Sequence, residues 1–324
     1  MATAAPAKTT PRAGRAVTAR PARRRRTSLR TRVELIVLLG PALLLFIGFV
    51  LAPIVVAVYY SFYSYHGFGP LTDYVGFRNY HTALSDPTFR HAILNNIRIV
   101  ALSLIIQGPL SIGLALLLNR KMHGQAFLRL VVFAPYVIAE AITAVVWLLM
   151  LQPDGVVNQT LTNLGLESLI RDWLGSQDLV FYTVFVVLTW KYIGFGIILL
   201  LAGLQGIPGE LREAAAIDGA TPWQSTRLVV LPLLGPTLRI WIFLTVIGSL
   251  QQFDMVWVLT QNAPADAPTT MATYMFEHGY QRYSYGYGSA VTVILFVICF
   301  VFAVFYQRFA LRRDVQGALT GRAA

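Results

Sequence analysis

A chain of 324 residues that is 56% apolar and only 13% charged, with mean hydropathy +0.60, is too apolar for a soluble domain and reads as a polytopic membrane protein. The formal charge of +11 does not mark a nucleic-acid surface. Residues 1–32 hold 10 of the 26 Lys and Arg and no acid, and the remainder is close to neutral. The single cysteine, Cys299, excludes an intramolecular disulfide and a Cys-based metal site, and the excess of Arg over Lys suggests a GC-rich bacterial genome.

Residues 1–32, rich in Ala, Arg, Pro and Thr, cannot bury a core and are expected to form a disordered basic tail. The following apolar run is too long for a signal-peptide core and has no convincing cleavage site. From residue 33 to residue 310 the hydropathy predicts an all-α membrane domain with six spans, at about 35–59, 97–118, 130–151, 179–204, 238–260 and 286–306. Prolines 41 and 53 are tolerable inside such helices. Tyr59, Tyr60, Phe62, Tyr63 and Tyr65 form an aromatic belt after the first span. An amphipathic interfacial helix is expected around 161–174, and residues 311–324 form a basic, polar tail.

Charge sets the orientation. With both ends in the cytoplasm, the inner segments carry 20 basic residues and the outer loops 4, the asymmetry that short loops show on the inner side of a membrane. This predicts that the polar stretch 205–235, between spans four and five, is cytoplasmic. Its local chemistry predicts a helix-turn-helix. Pro208 opens a first helix, Glu210 and Glu213 suit its positive end, and Gly219 stops it in a left-handed conformation. Thr221 caps a second helix, with Pro222 as its first residue and Gln224 closing a capping box, and Pro232 and Pro236 end or kink it.

Glu213-Ala214-Ala215, with Asp218-Gly219 and then Leu231-Pro232 at their spacing, resembles the EAA loop of binding-protein-dependent ABC importer permeases, with Val229 where that family often has Ile. The resemblance extends over residues 35–310. Within the superfamily the chain is most similar to the carbohydrate-uptake branch of the maltose and glycerol-3-phosphate type, and within that to the F permease of maltose systems. It is carried by Val75-Gly76-Phe77-Arg78-Asn79-Tyr80, Asp86-Pro87-Thr88-Phe89, Asn95-Asn96, Phe133-Ala134-Pro135-Tyr136, Trp190 to Phe195, Ala202 to Pro208 and Phe253-Asp254-Met255-Val256. The long outer insert of some members is missing. The resemblance implies a bacterial cell-membrane subunit that pairs with a second related permease, two cytoplasmic ATPases and an extracytoplasmic solute-binding protein. It further implies a sugar or oligosaccharide as solute, ATPase coupling through Glu213, Ala214, Ala215, Asp218, Gly219, Leu231 and Pro232, and ATP with Mg held by the partner ATPase.

The residues themselves agree with a non-catalytic subunit. There is no Gly-x-x-x-x-Gly-Lys-Ser/Thr stretch to cradle phosphates, no His-Glu-x-x-His and no Gly-x-Ser-x-Gly, so no cofactor, metal or catalytic centre is expected. Ionisable groups inside spans are costly and usually face a cavity or a partner. Glu140 and Lys191 are expected about 15 and about 18 Å into spans three and four, at helical rise. They are candidates to pair, or to contact substrate. Gln251, Asp254, Trp257 and Tyr192 have the hydrogen-bonding and aromatic chemistry that binds sugars, although Gln251, Gln252 and Asp254 spread over more than one helix face. Two other readings are a permease for another polar solute, such as glycerol-3-phosphate, and an ion-coupled transporter using Glu140 and Lys191 as a relay. The second leaves the EAA stretch unexplained.

Overall fold

A computed structural model describes residues 29–120, 122–261 and 268–311, and no strand occurs among them. The expected basic tail up to residue 28, part of the loop after span five and the tail from residue 312 lie outside the described residues. The described residues divide after Pro53 into two compact units. In the first, α1 (Leu29–Phe46) passes through a π-helical segment (Ile47–Leu51) towards α2 (Ala52–Tyr60), and Ile36–Tyr60 is one apolar helix, close to the expected 35–59.

The second unit holds the remaining helices. After α3 (Arg78–Ser85), the helix of span two runs from Pro87 to Leu118, as α4 (Pro87–Leu102), a π-helical segment (Ser103–Gln107) and α5 (Gly108–Leu118). It starts ten residues before the expected position 97. Asp86 explains this: its carboxylate accepts the Thr88 N–H at 2.7 Å, and Pro87 takes a first-turn position where its missing N–H costs nothing. The polar residues that suggested a loop are satisfied by protein, most clearly the fully buried Asn96.

The expected third span, 130–151, is not one helix. α6 (Gln125–Val137) and α7 (Glu140–Met150) meet at 99°, with Ile138 and Ala139 extended between them. The interfacial helix expected at 161–174 is instead the shorter α8 (Val156–Asn163), followed by a 3₁₀ turn, Glu167–Leu169. Gly165, at φ +69°, takes the left-handed conformation that ends α8. Span four is continuous as α9 (Gln177–Gln205).

The stretch at 205–235 folds as α10 (Gly209–Ile217), α11 (Pro222–Ser225), a π-helical segment (Thr226–Val230) and α12 (Leu231–Leu233). Span five then begins at a 65° bend as α13 (Gly235–Leu250). It ends ten residues before the expected 260, because Gln251–Phe253 leave the helix and α14 (Asp254–Thr260) starts anew. α15 (Met271–Met275) and a π-helical segment (Phe276–Gln281) occupy part of the expected loop, and α16 (Tyr285–Tyr306) is the last long helix. Among the described residues four helices are thus long and apolar enough to cross a membrane, or up to six if each bent pair is one span.

α9 is the centre of this unit. Its Ile197, Leu200 and Leu204 bury against Ala115 and Leu118 of α5 and against Val230 and Leu234. Val184, Val187 and Leu188 pack with Met255, Val256 and Leu259 of α14. Close approach to α6 requires Gly194, where a Cβ would stand 2.7 Å from the Val132 carbonyl oxygen.

At one end of the unit Asp86 also accepts the Tyr274 hydroxyl at 2.6 Å, and Tyr274 in turn touches the Tyr287 hydroxyl at 2.7 Å. Burial pushes the Asp86 carboxyl up, but the Tyr274 hydroxyl and the Thr88 and Phe89 N–H groups outweigh it and hold the group below its ordinary range. Its contribution to stability is therefore present above the ordinary carboxylate value and lost as pH falls through the lowered one. Asp86→Asn is expected to lower the melting temperature at pH 7, and by less as the pH is taken below the ordinary carboxylate range. An equal shift at every pH would contradict this role.

Candidate solute site and coupling surface

The break in the third span leaves backbone groups that no helix satisfies. The last carbonyls of α6 have no partner within that helix. Lys191, 3% exposed on α9, supplies the donors: its Nζ reaches the carbonyl oxygens of Pro135 at 2.9 Å and Tyr136 at 3.1 Å, and also that of Ile138. An ammonium has three protons, and here three carbonyls receive them. The positive charge also sits at the negative end of the α6 dipole. Glu140 is the first residue of α7, where the opposite dipole end suits a carboxylate.

Of the two roles open to Glu140 and Lys191, the direct pair is not formed. No ion pair joins them among the described residues, because the ammonium is already taken up by the broken helix. Glu140 instead accepts a hydrogen bond from Nε2 of Gln252, and the Tyr192 hydroxyl faces both. The depth expected for Glu140 also assumed a straight helix, which the 99° bend removes.

Gln252 and Tyr192 line a cavity of about 230 Å³, with Ser103 and Gln107 from span two and Thr245 and Ser249 from α13. The π-helical segment Ser103–Gln107 brings two polar side chains to its wall, a placement such segments often serve at functional sites. Tyr136 and Phe195 add aromatic surface, and no charged residue lines the space.

Of the six candidates for the solute path, Tyr192 lines this cavity, Glu140 and Lys191 stand behind its wall through their bonds to Gln252 and the Tyr136 carbonyl, and the other three do not line it. Gln251 is exposed, with Nε2 4.0 Å from Cys299 Sγ. Asp254 is exposed in the first turn of α14. The Trp257 ring packs on Phe253 and Phe276, at centroid distances of 6.1 and 5.0 Å. Ser103, Gln107, Thr245 and Ser249 were missed. Their signal was polar residues at i, i+4 spacing inside apolar runs, which puts each pair on one helix face.

The stretch with Glu213 has the caps that its residues predict. Gly219 stands at φ +84°, and the Ala220 and Gly219 N–H groups bond the carbonyls of Ala215 at 2.9 Å and Ala216 at 3.1 Å, the Schellman pattern. The Thr221 N–H donates to Gln224 Oε1 at 2.8 Å, and the Gln224 N–H returns to Thr221 Oγ1 at 3.3 Å. Glu213, Ala214, Asp218, Gly219 and Pro232 are exposed, while Ala215 and Leu231 are half-buried. Val230 and Leu234 anchor the stretch to Leu204 of span four. Ile217 is 86% exposed and Trp223 68%, an unusual outlay of apolar surface on a helix-turn-helix.

Residues 107–315 match the family described as the binding-protein-dependent transport system inner membrane component. The trehalose/maltose transport system permease protein MalF of Thermococcus litoralis is 33% identical over 85% of this chain and 92% of its own length. The diacetylchitobiose uptake system permease protein NgcF of Streptomyces coelicolor is 31% identical over 88% of this chain and 84% of its own. Among solved structures, a bacterial ABC transporter involved in the import of the acidic polysaccharide alginate has a chain that superposes with a TM-score of 0.78 at 25% identity, covering 87% of this chain and 96% of that one. A second structure of the alginate transporter, in complex with a pentasaccharide-bound periplasmic protein, matches at 26% identity with the same score. The chain is a multi-pass membrane protein, and it belongs to the family of binding-protein-dependent transport system inner membrane components.

Proposed function

We propose that this chain is one permease subunit of an ATP-driven importer for a sugar or oligosaccharide, lying in a bacterial cell membrane as six spans with both ends in the cytoplasm. It supplies half of the path and performs no chemistry of its own. ATP and Mg are held by two ATPase subunits, and an extracytoplasmic binding protein delivers solute to this subunit and its related partner permease. The observation that carries the reading is the rigidly capped Glu213–Gly219 helix, which presents exposed apolar and acidic residues beyond the end of span four. Such a surface fits the cleft of a partner ATPase. Co-purification tests it: the ATPase should be retained by the wild-type subunit and lost on Glu213→Lys, with the subunit still inserted. Retention by that variant would refute the coupling role.

The cavity supports an uncharged polyhydroxyl solute. Its hydroxyl, amide and aromatic walls suit sugar hydroxyls and ring faces, and no basic residue is there to hold the phosphate of glycerol-3-phosphate. An ion relay finds little support, since all three Lys191 protons are engaged by backbone. Gln252→Leu removes one hydrogen-bonding side chain from the wall, and a lost hydrogen bond of about 1 kcal/mol corresponds to about a fivefold loss of apparent affinity in uptake assays. Unchanged uptake would remove the cavity from the path. For orientation, a reporter active only in the cytoplasm should work when fused after Ala324 and be silent at Asp266, and the reverse pattern would overturn the topology.

A further inference from the structure

A second cavity, of about 630 Å³, lies where the coupling stretch meets the ends of spans two and four. Its walls bring together Arg120, just past the end of α5, and Arg212 of α10, with the Ser225 hydroxyl beside them. Leu116 and Val230 give it an apolar side, and the exposed Trp223 stands at its rim. No acid lines it, and neither guanidinium has a hydrogen bond or ion pair among the described residues. Two exposed guanidiniums that line one space, with no carboxylate among its walls, give it a positive potential that favours an anion. Guanidinium geometry matches phosphate oxygens two at a time.

We infer that this cavity binds a phosphate group, and that its source is the headgroup of an anionic phospholipid. The cavity sits at the boundary of two membrane spans, one side is apolar enough for an acyl chain, and a tryptophan at its mouth is the residue type that favours a membrane–water interface. Basic pockets between helices on the cytoplasmic side recognise such headgroups, with about 1 kcal/mol from each basic residue. The inference rests on the proposal that the coupling stretch is cytoplasmic, where anionic lipid is available to it. An occupied site would brace the coupling helices against the spans, so lipid composition would act on the transmission of ATP hydrolysis.

The test is quenching of tryptophan fluorescence in the assembled transporter, reconstituted in vesicles of brominated phosphatidylglycerol or brominated phosphatidylcholine. Wild type is expected to show extra quenching by the anionic lipid, and Trp223→Phe to lose that component. The Arg120→Gln, Arg212→Gln double variant should need about thirtyfold more anionic lipid for half the effect, from two basic residues at about 1 kcal/mol each. Neither arginine has a side-chain partner among the described residues, so the variant is expected to fold. Added inorganic phosphate separates the sources: no competition at millimolar concentration supports the lipid, while full competition assigns the site to a free anion and overturns the lipid reading. Equal quenching by the two lipids, extra quenching that survives in the double variant, or extra quenching that appears only after the ATPase is stripped away would each overturn the inference. Because the readout is binding, a failure here leaves the transport reading intact, and a failed uptake assay leaves this one intact.

Discussion

Lys191→Met is expected to abolish stable insertion and uptake together. The substitution removes three donors at once from the carbonyls of Pro135, Tyr136 and Ile138, of which the Pro135 contact is buried. An unsatisfied buried polar group costs about 1–3 kcal/mol, so the buried Pro135 carbonyl alone accounts for a sizeable part of a domain's stability. Lys191→Arg should rescue only partly, because a planar fork cannot converge its protons on three carbonyls as an ammonium does. Glu140→Gln is expected to be far milder for folding. The amide still offers an oxygen to Gln252, and Lys191 keeps all three of its carbonyl partners at the end of α6, losing only the nearby charge of Glu140. The decisive measurement is a double-mutant cycle on expression and thermal stability. The geometry predicts only weak coupling between Glu140→Gln and Lys191→Met, since no hydrogen bond or ion pair joins the two groups among the described residues and only charge links them. A double variant markedly milder than the sum would restore the direct pair and contradict the capping account.

Gly219→Val should uncouple the transporter. At φ +84° a β-branched residue is strained, by about 1–2 kcal/mol or more, although no atom lies within 4 Å of the added Cβ. The cost is therefore one of backbone alone, and its target is the Schellman turn that fixes α10 against α11. Gly219→Asn separates backbone from bulk, since asparagine enters the left-handed region readily and should keep most activity. In the assembled complex, solute-stimulated ATP hydrolysis and uptake are expected to fall at least about tenfold in the valine variant, a loss of about 1.4 kcal/mol in coupling, and to stay near wild type in the asparagine one. Equal defects in both variants would mean that the side chain itself, rather than the turn, is recognised.

The parts of the fold that the sequence disclosed are those decided locally. Thr221, Pro222 and Gln224 carry their own capping box, and Gly219 carries its own stop signal. Ile36–Tyr60 and Gln177–Gln205 are continuous apolar helices that hydropathy finds without help. What stayed hidden was decided by tertiary contacts. Leu130–Leu151 reads as one span because Pro135 is tolerable in a membrane helix, and the break beyond it depends on a lysine more than fifty residues away. The polar start of span two read as loop because Asn95 and Asn96 find their partners some 150 residues later. The candidate site was legible in part for the same reason. Glu140, Lys191 and Tyr192 stand out as polar groups in apolar runs, but which of them touch, and that Gln252 rather than Gln251 faces inward, depends on the helix break at Gln251.

Asn96 has a consequence for how the helix of span two and the end of α13 can move against each other. Its Nδ2 donates to the carbonyls of Ser249 and Leu250 at 2.8 and 3.3 Å, and its Oδ1 accepts the Met271 N–H at 2.9 Å, so one amide ties the end of α13 and the start of α15 to span two. All of these atoms are shut away from water. A slip of one helical turn, about 5.4 Å, would strip the amide of every partner and leave the three backbone groups bare. The contact therefore permits a single register, and piston-like sliding of these helices is excluded while pivoting about the shared end is not. Cysteine pairs placed across this junction should cross-link equally with and without nucleotide, and a cross-link that forms in one state alone would show that the register does change. Alternating access in this subunit would then be a rotation about a fixed polar pin.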